Sequence, residues 1–174
     1  MFIKNNKAVK IKRQYAKNIY YLKFFVLQIS NFVKQFLNTN FMKILVCISH
    51  VPDTTSKINF TENNSKFDKS GVQFVINPND EFGLTRAIWF KEKNNATIDV
   101  INVGLQDTES TLRKALAIGA DRAVRINHDP KDGLSVAKHI SDYIKLNSYD
   151  LIIAGRESID YNGGMVPGMI SGFH

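Results

Sequence analysis

The sequence predicts an α/β fold built on a parallel sheet, and three features of it do so. From residue 42 onward, short runs rich in β-branched residues alternate with longer amphipathic stretches. The strand-like runs are apolar almost throughout, as strands covered on both faces are. The connections are also long enough to carry a helix between parallel neighbours, with the right-handed crossover that such pairs adopt.

The first strand is KILVCISHV, residues 43–51, ended by Pro52-Asp53. Residues 54–76 are polar, with KINFTE and SGVQFVIN on either side of NNSKFDKSG, and predict a small antiparallel excursion. Asn77-Pro78-Asn79-Asp80 reads as a helix start with an Asn or Asp cap. EFGLTRAIWFKEKN continues that helix, with apolar residues at 84, 87 and 88 and aromatic ones at 89 and 90. TIDVINVG is the second main strand, and DTESTLRKALAIGA is a helix capped by Asp107 or Thr108 and stopped by Gly119. DRAVRIN is the third strand. In LSVAKHISDYIKLNS, Val136, Ile140, Tyr143 and Ile144 form one helical stripe. DLIIAG is the fourth strand, and GMVPGMISGFH opens a helix in which His174 falls without a stop signal. That ending predicts a C-terminally truncated domain.

A length of 174 residues and a net charge of +7 suit one domain and suggest an anionic partner. The location of the charge argues otherwise. Residues 1–41 carry seven lysines, one arginine and no acid, whereas residues 42–174 hold 15 basic and 16 acidic side chains. The expectation is therefore no nucleic-acid partner. Residues 1–41 form a basic leader outside the fold, either a misassigned start or a targeting segment. Its favoured residues, Lys, Asn, Phe, Ile and Tyr, all have AT-rich codons, and Met42 stands directly before the first strand. Lys23 interrupts the apolar run YYLKFFVLQI, which is too short and too charged for stable membrane insertion.

No phosphate loop, no glycine fingerprint after the first strand and no nucleophile elbow is encoded. His50, His128, His139 and His174 lack metal-ligand spacing, and the single Cys47 suits a small buried filler. No catalytic constellation emerges, so the chain is expected not to be an enzyme. Several loops nevertheless follow carboxyl ends of parallel strands: residues 50–53, Val103-Gly104 and residues 155–164. The last is conspicuous. In DLIIAGRESIDYNGG a buried strand empties into a polar, glycine-bearing loop, at the sheet edge where open α/β folds bind ligands. An adenine nucleotide fits there without a side-chain catalyst, and ordinary surface turns are the other reading.

VCISHVPD at 46–53, INPNDEFGLTRAIWFKE at 76–92, LRKALAIGADRAVRI at 112–126 and DLIIAGRESIDYNGGMVPGM at 150–169 resemble, in order and near spacing, the beta subunit of electron-transfer flavoproteins. The resemblance covers Met42 to the end, about the first half of such a subunit. It implies a Rossmann-like three-layer parallel sheet of the adenine-nucleotide-binding type, paired with an alpha subunit that holds most of an FAD. The heterodimer would pass electrons from acyl-CoA or other flavin dehydrogenases, as in fatty acid β-oxidation, to an acceptor such as a quinone oxidoreductase. The location implied is the cytoplasm, or the mitochondrial matrix in a eukaryote. The beta subunit would hold an AMP, or in bifurcating relatives a second flavin.

Carried over by motif, the nucleotide site comprises Cys47, Asn77, Pro78, Asn79, Asp80, Val103 and the segment from Gly155 to Val166. Within that segment stand Arg156, Glu157, Ser158, Ile159, Asp160, Tyr161, Asn162, Gly163, Gly164 and Met165. Cys47 and Val103 would line the base. Asn77 would contact the ligand or act as a cap. Gly163 and Gly164 would cradle phosphate with backbone N–H groups. Asp160 would orient the loop or meet a ribose hydroxyl, and Arg156 would offset phosphate charge or lie in solvent. Gly164-Met165-Val166-Pro167 departs from the family, which often carries Gln and Thr there, so only backbone donors remain. The alternative is a stand-alone adenine-nucleotide-binding module of the universal-stress type, whose glycine-spaced phosphate motif GRESIDYNGG matches poorly. An ATP-cleaving enzyme of related fold would need S-G-G-x-D-S after the first strand, where this chain has SHVPD.

Overall fold

The computed structural model describes residues 42–174; the expectations for the basic leader and for Met42 as a start concern residues 1–41 and lie outside the described residues. A four-stranded, all-parallel sheet has the order β7-β6-β1-β8. Its strands are β1 (Lys43–Cys47), β6 (Thr97–Val103), β7 (Arg122–Ile126) and β8 (Leu151–Ala154). Helices α1 (Pro78–Asn94) and α2 (Glu109–Ile118) cover one face, and α3 (Gly133–Leu146) and α4 (Val166–Phe173) cover the other. The architecture is the three-layer α/β arrangement that the alternating pattern predicts.

Strand periodicity assigns the two cores. Ile44, Val46, Ile98 and Val100 pack with Leu84 and Ala87 of α1 and with Leu112 and Ala115 of α2. Leu45, Cys47, Ile101 and Val103 point the other way, against Ala137, Ile140 and Ile144 of α3 and Ile170 of α4. Burial on both faces is why these strands read as continuous apolar runs rather than alternating ones.

The first predicted strand is shorter than its apolar run. After Cys47 the chain keeps one sheet bond, from the Ile48 N–H to the Ile101 carbonyl (2.9 Å), and then leaves. Residues 50–52 form a separate strand, β2 (His50–Pro52), which pairs antiparallel with β5 (Phe74–Ile76) in the register His50↔Ile76. A hairpin of β3 (Asn59–Thr61) and β4 (Lys66–Asp68) occupies the excursion between them. The predicted excursion is present, but its pairings differ: SGVQFVIN returns to β2, and the partner of KINFTE comes from the segment read as a separator.

Candidate functional site

The chain runs outward from β1 through β6 to β7 and then crosses back to place β8 on the other side of β1. That reversal leaves a crevice at the carboxyl ends of the strands, the position where open α/β sheets bind ligands. A cleft of about 760 Å³ opens there, within the range of small-molecule sites. Among the described residues no cluster of three His, Cys, Asp or Glu side chains is placed to hold a metal ion, and no helix is long and apolar enough to cross a membrane.

Three side chains at the start of α1 fix the rim. Asp80, 5 % exposed, accepts from the Ser49 N–H through Oδ2 (2.8 Å) and from the Gly155 N–H through Oδ1 (2.9 Å), joining the exits of β1 and β8. Burial pushes the Asp80 carboxyl above its ordinary range, against the pull of these donors. Asn77 donates to the Glu157 carbonyl (2.8 Å) and accepts from the Ile159 N–H (3.3 Å), and Asn79 donates to the same carbonyl (2.9 Å). The loop after β8 is thus held by residues some eighty positions earlier. Gly155 is required by this closeness: a Cβ there would overlap Asp80 Oδ1 and stand 2.9 Å from the Asn79 carbonyl carbon.

The opposite wall is aromatic and polar. His50 stacks on Phe74 with ring centroids 4.3 Å apart, and its Nδ1 meets the Thr111 hydroxyl at 2.7 Å. Burial lowers the pKa of His50 and favours the neutral ring. Lys69 donates to Asp107 (2.7 Å), tying the hairpin arm to the 3-10 turn Gln106–Thr108 that precedes α2. Among the described residues four buried side-chain polar atoms lack a hydrogen-bond partner: His50 Nε2, Asn102 Oδ1, Ser141 Oγ and Ser158 Oγ. Three of these residues, His50, Asn102 and Ser158, line the cleft. Unpaired buried polar atoms are rare and costly, and three of the four fall at this cleft.

A family model described as "Electron transfer flavoprotein domain" matches residues 65–173. The chain belongs to the electron transfer flavoprotein family, on its beta-subunit side. Over 129 residues it is 36% identical to "Electron transfer flavoprotein subunit beta" of Bacillus subtilis, covering 72% of this chain and 49% of that one. The Dictyostelium discoideum protein of the same description is 33% identical over 133 residues, covering 75% of this chain and 53% of its own length. "Electron transfer flavoprotein subunit beta, mitochondrial" of Oryza sativa subsp. japonica is 32% identical over 137 residues, 75% of this chain and 54% of that one. The chain spans about half the length of these curated relatives.

In this electron transfer flavoprotein chain the segments chosen from the sequence converge on the cleft, although not every side chain faces it. Cys47, Asn77, Asp80, Val103 and Gly155 line it, as do Glu157, Ser158, Asp160, Tyr161, Gly163, Met165 and Val166. Pro78, Asn79, Arg156, Ile159, Asn162 and Gly164 are not part of the lining. Pro78 opens α1, Asn79 holds the Glu157 carbonyl, and Ile159 contributes its N–H to Asn77. Asn162 turns the loop at φ 56°. Arg156, with its side chain 81% exposed, pairs with Glu157, the solvent placement of the two weighed for it. Cys47 is 7% exposed, and burial, then the Asp80 charge, pushes its thiol up to about 12, so it lines the cleft as an inert apolar filler.

Asn77 and Asp80 do more than a cap would. Asn77 occupies the N-cap position of α1 but makes no side-chain cap bond there. The sequence also gave no sign of several wall residues: Phe67 and Lys69 of the hairpin arm, Phe74 of β5, and the turn from Asp129 to Gly133 before α3. Those positions follow from tertiary placement alone. Asn102 did leave a trace, as a lone uncharged polar residue near the end of an apolar strand.

Proposed function

We propose that this chain is the beta half of a two-subunit electron carrier and holds an AMP in the strand-end cleft. The observation that carries the reading is the coincidence of family membership with a cleft at the topological switch point, lined by three residues with unpaired buried polar atoms. The residues fit a nucleotide in a particular way. Cys47, Val103 and Val136 give the base an apolar wall, while Ser158 and Asp160 offer polar groups to a ribose.

The phosphate is the exacting part. Asp80, Asp107, Asp129, Asp132, Glu157 and Asp160 line the cleft, against Lys69 and Lys131. Lys69 is already engaged by Asp107. Pro167, in the first turn of α4, contributes no N–H. Phosphate therefore rests on the backbone N–H groups around Gly163, which lines the cleft, and on Lys131. The chain's own part is to bind and orient; it moves no proton and forms no covalent bond. The redox chemistry is supplied by an FAD held mainly on an alpha subunit. Electrons would come from acyl-CoA or other flavin dehydrogenases and leave to a quinone oxidoreductase, in the cytoplasm of a bacterium or the mitochondrial matrix of a eukaryote.

The test is to co-express the full chain with its alpha subunit, purify the complex, denature it and count the released small molecules by mass spectrometry. One AMP and one FAD per heterodimer are expected. Two FAD would assign the cleft to a second flavin, and FAD alone would refute nucleotide binding by this chain.

A further inference from the structure

We propose that the Tyr161 hydroxyl, folded over Gly163 in the strand-end cleft, is the side-chain donor to the phosphate of the bound nucleotide. The inference rests on the AMP reading above and assigns a phosphate-binding residue to that site.

The loop after β8 closes on itself. The Ser158 N–H donates to the Gly163 carbonyl (3.1 Å), and the backbone turns at Asn162 with φ 56°. This doubling back lays the Tyr161 ring on Gly163. A Cβ at 163 would overlap ring atoms Cζ and Cε2 and stand 2.5 Å from the hydroxyl oxygen. The hydroxyl end of the ring therefore makes the contact. Tyr161 and Gly163 both line the cleft, and Tyr161 is 67% exposed, so the approach to its ring is open. The Tyr161 N–H donates to Asp160 Oδ1 (3.0 Å), while the hydroxyl has no protein partner among the described residues.

Donors are what this cleft lacks. Six carboxylates line it, and of its two lysines Lys69 is held by Asp107 (2.7 Å). Met165, Val166 and Pro167 line it next to the loop without a side-chain donor, and Pro167 has no N–H either. A phenol brings an O–H donor with no charge to balance. Its bond to an ionised oxygen is about twice as strong as one between neutral groups. Gly163 decides which part of the ligand it meets. The hydroxyl stands beside a backbone with no side chain of its own, where an anionic oxygen can take the phenol and a main-chain N–H together.

The test uses the full chain co-expressed with the alpha subunit, stripped of nucleotide and titrated calorimetrically with AMP and with adenosine. Tyr161→Phe keeps the ring on Gly163 and removes only the hydroxyl. Its AMP affinity should fall about tenfold, while adenosine, which has no phosphate, should bind within about twofold of the wild type. Unchanged AMP affinity overturns the inference, and so does an equal loss for both ligands. A second variant covers adenosine binding too weakly to titrate. In Gly163→Ala the new methyl displaces the phenol, so adding Tyr161→Phe to it should cost less than about twofold in AMP affinity. A further tenfold loss in that double variant overturns the inference. A wild type that binds neither ligand overturns the AMP reading itself, and this inference with it.

Discussion

The two ends of the same sheet differ in how their polar side chains are engaged. At the amino ends the entries of β1 and β6 are clasped by carboxylates. Asp150 accepts from the Lys43 N–H (2.7 Å) and Asp121 from the Ile98 N–H (2.8 Å). Asp99, buried in β6, is met by Arg122 (2.6 Å), the Tyr149 hydroxyl (2.7 Å) and, farther away, Lys43 (3.9 Å). At the carboxyl ends, Asp80 makes comparable clasps, yet Asn102, Ser158 and His50 each keep an atom unpaired. The engaged carboxylates at the amino end serve stability, whereas the unpaired atoms at the cleft are a cost that a bound ligand would offset.

The sharpest way to break this contrast is Gly155→Val. The side chain would drive β8 from the Asp80 carboxylate, and the loss should be about 3 kcal/mol or more in denaturant unfolding. A variant as stable as the parent would mean the two strand exits are not joined through Asp80. Next is Arg122→Ala at the other end, which leaves the buried Asp99 with Tyr149 and a distant lysine. Because Arg122 is itself half exposed, a loss of about 1–2 kcal/mol is expected, with AMP content of the heterodimer unchanged. Loss of nucleotide in that variant would erase the division of labour between the ends.

Cys47 gives a pH test. Its thiol is raised from 9.0 to about 12 in the folded chain, so the native state keeps a proton that the unfolded state releases. Its contribution is complete below pH 9 and is lost progressively between pH 9 and 12, and Cys47→Ala should flatten that alkaline decline of stability. At pH 8, thiol labelling of the native protein should run on the order of a thousandfold slower than of the unfolded chain; comparable rates would place Cys47 outside the core. The smallest effect sharpens the comparison most. Ser158→Ala removes a hydroxyl that has no partner, so ligand-free stability should shift by no more than about 0.5 kcal/mol while AMP retention falls. A large stability loss with retention intact would reverse its assignment.

Much of the fold was legible because its signals are local. Continuous apolar strands and Gly119 ending α2 at φ 143° both follow from near neighbours. The site was legible as loops, since the strand-to-loop change at Gly155 marks the sheet edge. What stayed hidden is non-local. Nothing around Asn77 distinguishes a helix cap from an anchor for Glu157 and Ile159. The departure of β2 from the sheet depends on Phe74 and Ile76 returning opposite it. Asp80 reads as first-turn acid until Gly155 is known to lie against it.

The antiparallel pairing of β2 with β5 makes the stretch between them a closed detour. The chain leaves at Pro52 and returns opposite it at Phe74, so the sheet registers only the two ends of the path. Lengthening the β3–β4 hairpin at its Glu62-Asn63-Asn64 bend, where the backbone already adopts positive φ, changes the closure entropy only slowly with length. That bend is a natural port for grafting: an epitope or a fluorescent label inserted there would ride on the molecule while leaving the registration of Asn77 and Asp80 at the cleft untouched.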